Sequence, residues 1–233
     1  MEIHGLQKLT LLDFPGHTAC TVFTARCNWR CPFCHNASLV VRPAEQPVIP
    51  EAEFFAFLNR RRGLLDGVAV TGGEPTLQKD LPDFLRAVRA AGFETKLDTN
   101  GTRPAVLREI LSEGLADYVA MDVKAGRDNY SAVTGTLRPG LEAVEESVEL
   151  LKCSGVAHEF RTTVVRELHT DEDFADIARW LAGEERYFLQ AFKDSGDIIS
   201  EGFSPCSREE MERFLSIVRT TVPLSTPEER SGD

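Results

Sequence analysis

The sequence predicts an α/β fold with a parallel sheet, and two observations carry that expectation. Short β-branched runs alternate with amphipathic segments that bear helix start and stop signals, the rhythm of repeated βαβ units. No composition shift, internal repeat or low-complexity stretch divides the 233 residues, a length that suits one α/β domain able to bury about 70% of its unfolded surface. The strand–helix units could form an open, partial barrel or a doubly wound sheet, and periodicity alone fits both.

The elements follow in order. Residues 1–17 precede the first parallel strand and are expected to cover one end of the sheet, with Phe14-Pro15-Gly16-His17 as a turn. Residues 18–24 form the first strand. Pro50 opens a helix that runs to Arg62, with Glu51 and Glu53 in its first turn, Phe54, Phe57 and Leu58 on one face and Gly63 as its stop. Arg60, Arg61 and Arg62 sit at its end, where the helix dipole favours cations. Residues 68–71 make the second strand. Asp80 is expected to cap a helix through Ala91, with Leu81, Leu85 and Val88 inward and Gly92 as its stop.

The third strand is 93–98, a helix spans 104–112, and the fourth strand is 118–123. Leu141, Val144, Val148 and Leu151 recur at helical spacing before a fifth strand at 158–165. Thr170 or Asp171 caps a helix bearing Phe174, Ile177 and Leu181, and 187–192 is the sixth strand. Ser207 and Glu210 form a capping box for a final helix carrying Met211, Phe214, Leu215 and Val218. The expected domain is 1–222, followed by a flexible tail at 223–233.

A net charge of −11 argues against a general nucleic-acid binder, whose affinity rests on clustered Lys and Arg. No apolar stretch approaches the roughly 20 residues of a membrane helix, and no signal-like segment opens the chain, so the expected location is cytoplasmic, without a membrane partner. Six cysteines, three of them in one loop, suggest a metal or cofactor site rather than a disulfide framework. Cys153 and Cys206 are isolated and are expected to be ordinary thiols.

That loop reads CNWRCPFC, placing Cys27, Cys31 and Cys34 as C-x3-C-x2-C just after the first strand. A closed tetrahedral zinc site needs four protein ligands and a four-cysteine cluster needs a fourth thiol. The nearby candidates are poor: strand alternation turns Cys20 into the sheet, and His35 would crowd Cys34. Other notable residues fall at strand ends, where the loops of such folds carry function. They are Gly72-Gly73-Glu74-Pro75, Asp98 in Asp98-Thr99-Asn100-Gly101, Asp122 and Lys124 two apart on one strand face, Arg161, and Gln190. Alone, the glycine pair is a strand-to-helix turn and Asp122–Lys124 an intrastrand ion pair.

With Phe33 as its aromatic, C-x3-C-x-aromatic-C resembles the cluster loop of the radical S-adenosylmethionine superfamily. The resemblance implies a partial (β/α)6 TIM-type barrel with parallel strands, and decides between the two sheet types. It also implies a [4Fe-4S] cluster whose three irons are held by Cys27, Cys31 and Cys34 and whose fourth is chelated by S-adenosylmethionine. Gly72, Gly73 and Glu74 resemble the family motif that receives the amino group of that cofactor, as a carboxylate suits an ammonium. Asp98 resembles a position that orders the cofactor or a nearby cation. Asp122, Lys124 and Arg161 resemble residues reaching its methionyl part and carboxylate in activators of glycyl radical enzymes.

GLQKLTLLDFPG and CPFCHN narrow the resemblance to anaerobic ribonucleoside-triphosphate reductase activating proteins, glycyl radical enzyme activating enzymes. That implies a glycyl radical enzyme as protein substrate, a flavodoxin- or ferredoxin-type reductant, and no catalytic residue beyond the cluster and cofactor. Two departures stand out: Arg26 where a small residue is expected, and Gln190 where pyruvate formate-lyase activators carry a histidine. No cysteine-rich insertion follows Asn36, so one cluster is expected. The rivals are radical chemistry on a small molecule such as a deazapurine precursor, and a zinc or electron-transfer module that makes no radical.

Overall fold

A computed structural model describes residues 1–220, so the expected tail at 223–233 lies outside the described residues. Strand β1 (Gly5–Thr10) runs antiparallel to β2 (Ala19–Thr24). Helices α1 (Ala37–Val41) and α2 (Glu51–Arg60) lead to β3 (Gly67–Gly72), and α3 (Leu81–Ala90) leads to β4 (Glu94–Thr99). Next come α4 (Pro104–Ser112), β5 (Tyr118–Asp122), α5 (Tyr130–Thr134), α6 (Leu141–Ser154) and β6 (Ala157–Val164). Helix α7 (Asp171–Trp180), β7 (Tyr187–Ala191) and α8 (Arg208–Arg219) complete the described chain.

The sheet has the order β1-β2-β3-β4-β5-β6-β7, with β2 to β7 all parallel and no pairing between β1 and β7. This is the open, partial barrel of six strand–helix units that the motifs imply. The 1–17 segment adds more than a cover, because β1 extends the sheet as a seventh, antiparallel strand. Sequence patterning misses it because three of its six residues, Gln7 to Leu9, are exposed and leave little alternation to read.

Strand alternation sorts the interior. Val68, Val70, Leu97, Val119, Met121 and Phe160 face the helices and join the main core with Phe54, Leu58, Leu81, Leu85 and Val148. Each such side chain contributes about 1.5–3 kcal/mol by leaving water. The opposite faces of β4, β5 and β6 point into the barrel. At its N-terminal end Phe14 packs with Ala19, Tyr118 and Ala120 as a plug, and the expected turn holds it, with His17 N–H donating to the Phe14 carbonyl at 3.0 Å and Gly16 at φ 77°.

The expected capping box of Ser207 with Glu210 forms, and of the two candidates for α7 Thr170 is the cap, in a second box with Asp173; each stabilises its helix by about 1 kcal/mol. Asp80 departs from expectation. Its side chain caps nothing in α3 and instead pairs with the Met1 ammonium at 2.6 Å, because a charged donor is the stronger partner for a carboxylate.

Candidate functional site

The cluster loop leaves β2 and alternates as a strand would. Cys27, Trp29, Cys31 and Phe33 line a cavity at the C-terminal ends of the strands, while Arg26 and Arg30 are exposed. The aromatic members fix the loop. The Trp29 indole N–H donates to the Pro139 carbonyl at 3.0 Å and its ring meets Tyr130 edge-on, while Phe33 packs edge-on against Phe192 and His35 stacks on the same Phe192 ring. All six cysteines are free; Cys20 is buried in the main core and Cys153 is exposed.

Burial pushes the loop thiols up, Cys27 to about 11 and Cys31 to about 12, with Cys34 also raised. Lys124 opposes this at all three, and a bound metal would deprotonate them outright. Among the described residues no three His, Cys, Asp or Glu side chains are grouped to hold a metal ion. The three thiols border one cavity without meeting at a point, so any inorganic group they share has to bridge them.

Gly72 and Gly73 are there because the cluster loop passes against them. A Cβ on Gly72 would lie 2.3 Å from the Thr24 carbonyl oxygen, and one on Gly73 2.0 Å from that of Arg26. The close approach is cemented by Gly73 N–H donating to Thr24 and Glu74 N–H to Arg26, both at 2.8 Å. Arg26 itself sits at φ 71°, the left-handed region, which explains why a small residue is the natural occupant of that position. The Gly72 carbonyl accepts from Asn36 Nδ2 at 2.9 Å.

Glu74 is buried and held by four donors. Its Oε1 accepts from the Thr76 N–H at 3.1 Å, the Thr76 hydroxyl and the Thr99 hydroxyl, and its Oε2 accepts from Asn100 N–H at 2.7 Å. Burial pushes this carboxyl up against the pull of those donors. Each carboxylate oxygen offers about two lone-pair sites; Oε2 takes one of these four bonds, and Glu74 lines the cavity, so Oε2 has room for one further donor from it.

The floor is a ladder of alternating charge across β4, β5 and β6. Lys96 bonds Asp98; Arg161 reaches Asp98 at 3.4 Å and Asp122 at 3.1 Å; Lys124 holds the other Asp122 oxygen at 2.9 Å. Burial disfavours both carboxylates, but Lys124 and Arg161 hold Asp122 down at about 2, and Arg161 and Lys96 keep Asp98 low. Lys96 lies behind Asp98, outside the cavity lining, so the lining part of the ladder pairs two cations, Lys124 and Arg161, with two anions, Asp98 and Asp122. The cavity opens to solvent and measures about 780 Å³ with that opening included.

Of the residues singled out in the sequence, Cys27, Cys31, Cys34, Phe33, Gly72, Gly73, Glu74, Asp98, Asp122, Lys124 and Arg161 all line this one cavity. Gln190 pairs in register with Thr163; Thr163 lines the cavity whereas Gln190 lies outside the lining. Lys96, Asn100, Asn36 and Phe192 were not anticipated. Lys96 was within reach, since it precedes Asp98 by two on one strand face, the same spacing that joins Asp122 to Lys124.

Residues 21–181 match the Radical SAM superfamily. The chain is 34% identical over 201 residues to a putative glycyl-radical enzyme activating enzyme of Methanocaldococcus jannaschii, covering 84% of this chain and 82% of that protein. It is 27% identical to the pyruvate formate-lyase 1-activating enzyme of Escherichia coli K12, covering 93% and 94%. A probable GTP 3',8-cyclase of Pyrococcus abyssi is 30% identical, with 84% of this chain covering 65% of its length. Among solved structures, Streptococcus suis SuiB bound to its precursor peptide SuiA shares the fold at a TM-score of 0.70 and 14% identity, with 89% of this chain spanning 48% of that one.

Proposed function

The chain belongs to the radical SAM superfamily, an enzyme family that uses a [4Fe-4S] cluster and S-adenosylmethionine, and on that premise we propose that it activates a glycyl radical enzyme. The observation that carries the reading is that three thiols, a glycine-rich ledge with its buried carboxylate, and a floor of paired charges that includes Lys124 and Arg161 line one cavity. Those residues fit both groups. Cys27, Cys31 and Cys34 would hold a cluster, and the acceptor site left on Glu74 Oε2 suits an ammonium. Lys124 and Arg161 are the cations of the lining and would face a carboxylate there. When bound, the two groups supply one-electron cleavage of the sulfonium and a carbon-centred radical that removes hydrogen. The protein's own part is binding, orientation and exclusion of water, and the cavity offers no side chain that must act as acid or base.

Similarity over nearly the whole of two activating enzymes supports a protein substrate, whereas the cyclase extends well beyond the matched segment. The partner we assign is an anaerobic ribonucleoside-triphosphate reductase. The test is anaerobic reconstitution with iron and sulfide, reduction, addition of S-adenosylmethionine, and measurement of 5'-deoxyadenosine in wild type and Cys31→Ala. Product from wild type alone supports radical chemistry, and a glycyl radical signal on added reductase identifies the partner. No product from a loaded, reduced wild type refutes the reading; product without any glycyl radical on the reductase shifts it to another substrate.

A further inference from the structure

The acidic residues of this chain are unevenly placed. Its net charge is −11, yet no Asp or Glu occurs between Asp13 and Glu45, between Asp98 and Glu109, or between Asp128 and Glu142. The fold brings these three stretches together around the cluster loop. Asn28 Nδ2 donates to the Thr102 hydroxyl at 3.0 Å, Arg30 N–H to the Thr134 carbonyl at 3.0 Å, and the Trp29 indole to Pro139. Gly135 lies so close to the loop that a Cβ there would sit 2.1 Å from the Arg30 carbonyl oxygen.

The result is a collar of exposed arginines, Arg26 and Arg30 on the loop and Arg103 and Arg138 on its two neighbours. None of the four has a carboxylate partner among the described residues. Several arginines elsewhere are neutralised, Arg86 by Asp83 and Glu113, Arg127 by Glu145 and Asp176, Arg166 by Glu210, and Arg213 by Asp171, while Arg60, Arg61 and Arg62 form a second exposed run at the end of α2, away from the cluster loop in sequence. On the loop itself the alternation that turns Cys27 and Cys31 into the cavity leaves Arg26 and Arg30 on the opposite side. The Arg30 guanidinium folds back on the loop, donating to the Cys27 carbonyl at 2.7 Å and the Trp29 carbonyl at 2.8 Å, so a charge without a carboxylate partner is held at the backbone of the cluster loop.

We propose that this carboxylate-free arginine collar is the docking surface for an acidic one-electron-donor protein of the flavodoxin or ferredoxin class. The inference rests on the radical SAM reading above. A substrate has to reach the cavity on the inner face of the loop, whereas an electron donor needs only to approach the outer face. The donor loses one electron, which enters the group held by Cys27, Cys31 and Cys34, and no bond forms or breaks. A cationic face beside the cluster loop, on a protein of net charge −11, attracts and orients an acidic donor at the thiols, which favours fast, correctly placed encounters.

The test compares wild type with Arg103→Glu/Arg138→Glu, and with Arg179→Glu/Arg208→Glu as a control of equal charge change on α7 and α8. Two quantities are read: affinity of the apoprotein for purified flavodoxin, and the rate at which reduced flavodoxin bleaches the reconstituted cluster, with photoreduced deazaflavin as a small-molecule comparison. The collar variant is expected to lose about tenfold or more in both at an ionic strength of about 10 mM, with the gap shrinking near 150 mM as the Debye length falls from about 30 to about 8 Å. Deazaflavin reduction and the control pair are expected to match wild type.

Equal behaviour of collar variant and wild type, or an equal loss in the control pair, overturns the proposal. So does normal flavodoxin reduction combined with lost glycyl radical formation, which would give the collar to the substrate enzyme. Neither readout uses S-adenosylmethionine. A protein that binds and accepts electrons as described but makes no 5'-deoxyadenosine therefore refutes the activase reading and leaves the docking surface standing.

Discussion

Replacing Gly73 by alanine tests how the site is built, because the cost is purely steric. Gly73 is absent from the positive-φ glycines, so alanine meets no backbone penalty there. Its Cβ would instead lie 2.0 Å from the Arg26 carbonyl oxygen and 2.7 Å from the carbonyl carbon. Backbone cannot swing aside as a side chain can, so ordinary contact requires the loop to retreat by about 1.4 Å. That retreat breaks the bonds that Gly73 N–H makes to Thr24 and Glu74 N–H to Arg26. Two backbone bonds lost in a buried setting cost about 2–4 kcal/mol, equivalent to a fall in Tm of about 5–15 °C for a chain of this size.

The displacement also falls one residue before Cys27, so iron and sulfide uptake on anaerobic reconstitution should drop along with stability. Gly92→Ala is the matched control, with φ at 91° and nothing within 4 Å of the added Cβ. It should cost only the backbone penalty of about 1–2 kcal/mol and leave iron uptake unchanged. Calorimetry of the apoproteins and iron analysis of the reconstituted forms decide the matter. A Gly73→Ala protein within about 0.5 kcal/mol of wild type, with full iron uptake, would refute the view that ledge and loop are fastened backbone to backbone.

Arg26→Gly should stabilise the apoprotein by about 0.5–1 kcal/mol in urea titration, since relief of the left-handed φ outweighs the added freedom of the unfolded chain; a loss of stability would contradict this. Lys96→Met leaves Asp98 with Arg161 alone and should cost about 2–3 kcal/mol, less than a wholly unpaired buried charge, while raising the Asp98 carboxyl in an NMR titration. Acid stability follows from Asp122. Its folded value near 2 lies below its usual 3.8, so its contribution of about 2 kcal/mol is complete above pH 4 and lost as pH falls from about 4 to 2. Asp122→Asn should flatten that limb of the stability profile, and an unchanged limb would assign acid sensitivity elsewhere.

What the sequence revealed and what it hid follow from the range of each interaction. The boxes at Thr170 and Ser207 close within three residues, so their helix starts are legible locally, whereas Asp80 is claimed by an ammonium far away in sequence. The six parallel strand–helix units are legible because one face of each strand feeds the main core. Exposed β1 has little such face, so its sequence carries no period-two signal that marks a strand. At the site, strand-end motifs located the cavity lining. The cage around Glu74 was hidden, since its donors Thr99 and Asn100 arrive from the next strand.

Register is what converts those motifs into a site. Asp98 pairs with Ala120, and Asp122 with Arg161, so Lys96, Asp98, Asp122 and Arg161 share the inward face across three strands. A slip of one residue in β4 would send Lys96 and Asp98 toward the helices and bring Leu97 into the barrel, because side chains alternate with period two. The apolar layer of Leu97, Val119, Met121 and Phe160 forbids that slip, since it would put buried charges among apolar side chains. The main core thus holds the floor charges in place although none of its side chains belongs to the ladder. Substitutions in that layer should therefore disturb ligand binding in proportion to how far they shift strand register, rather than to how much apolar area they remove.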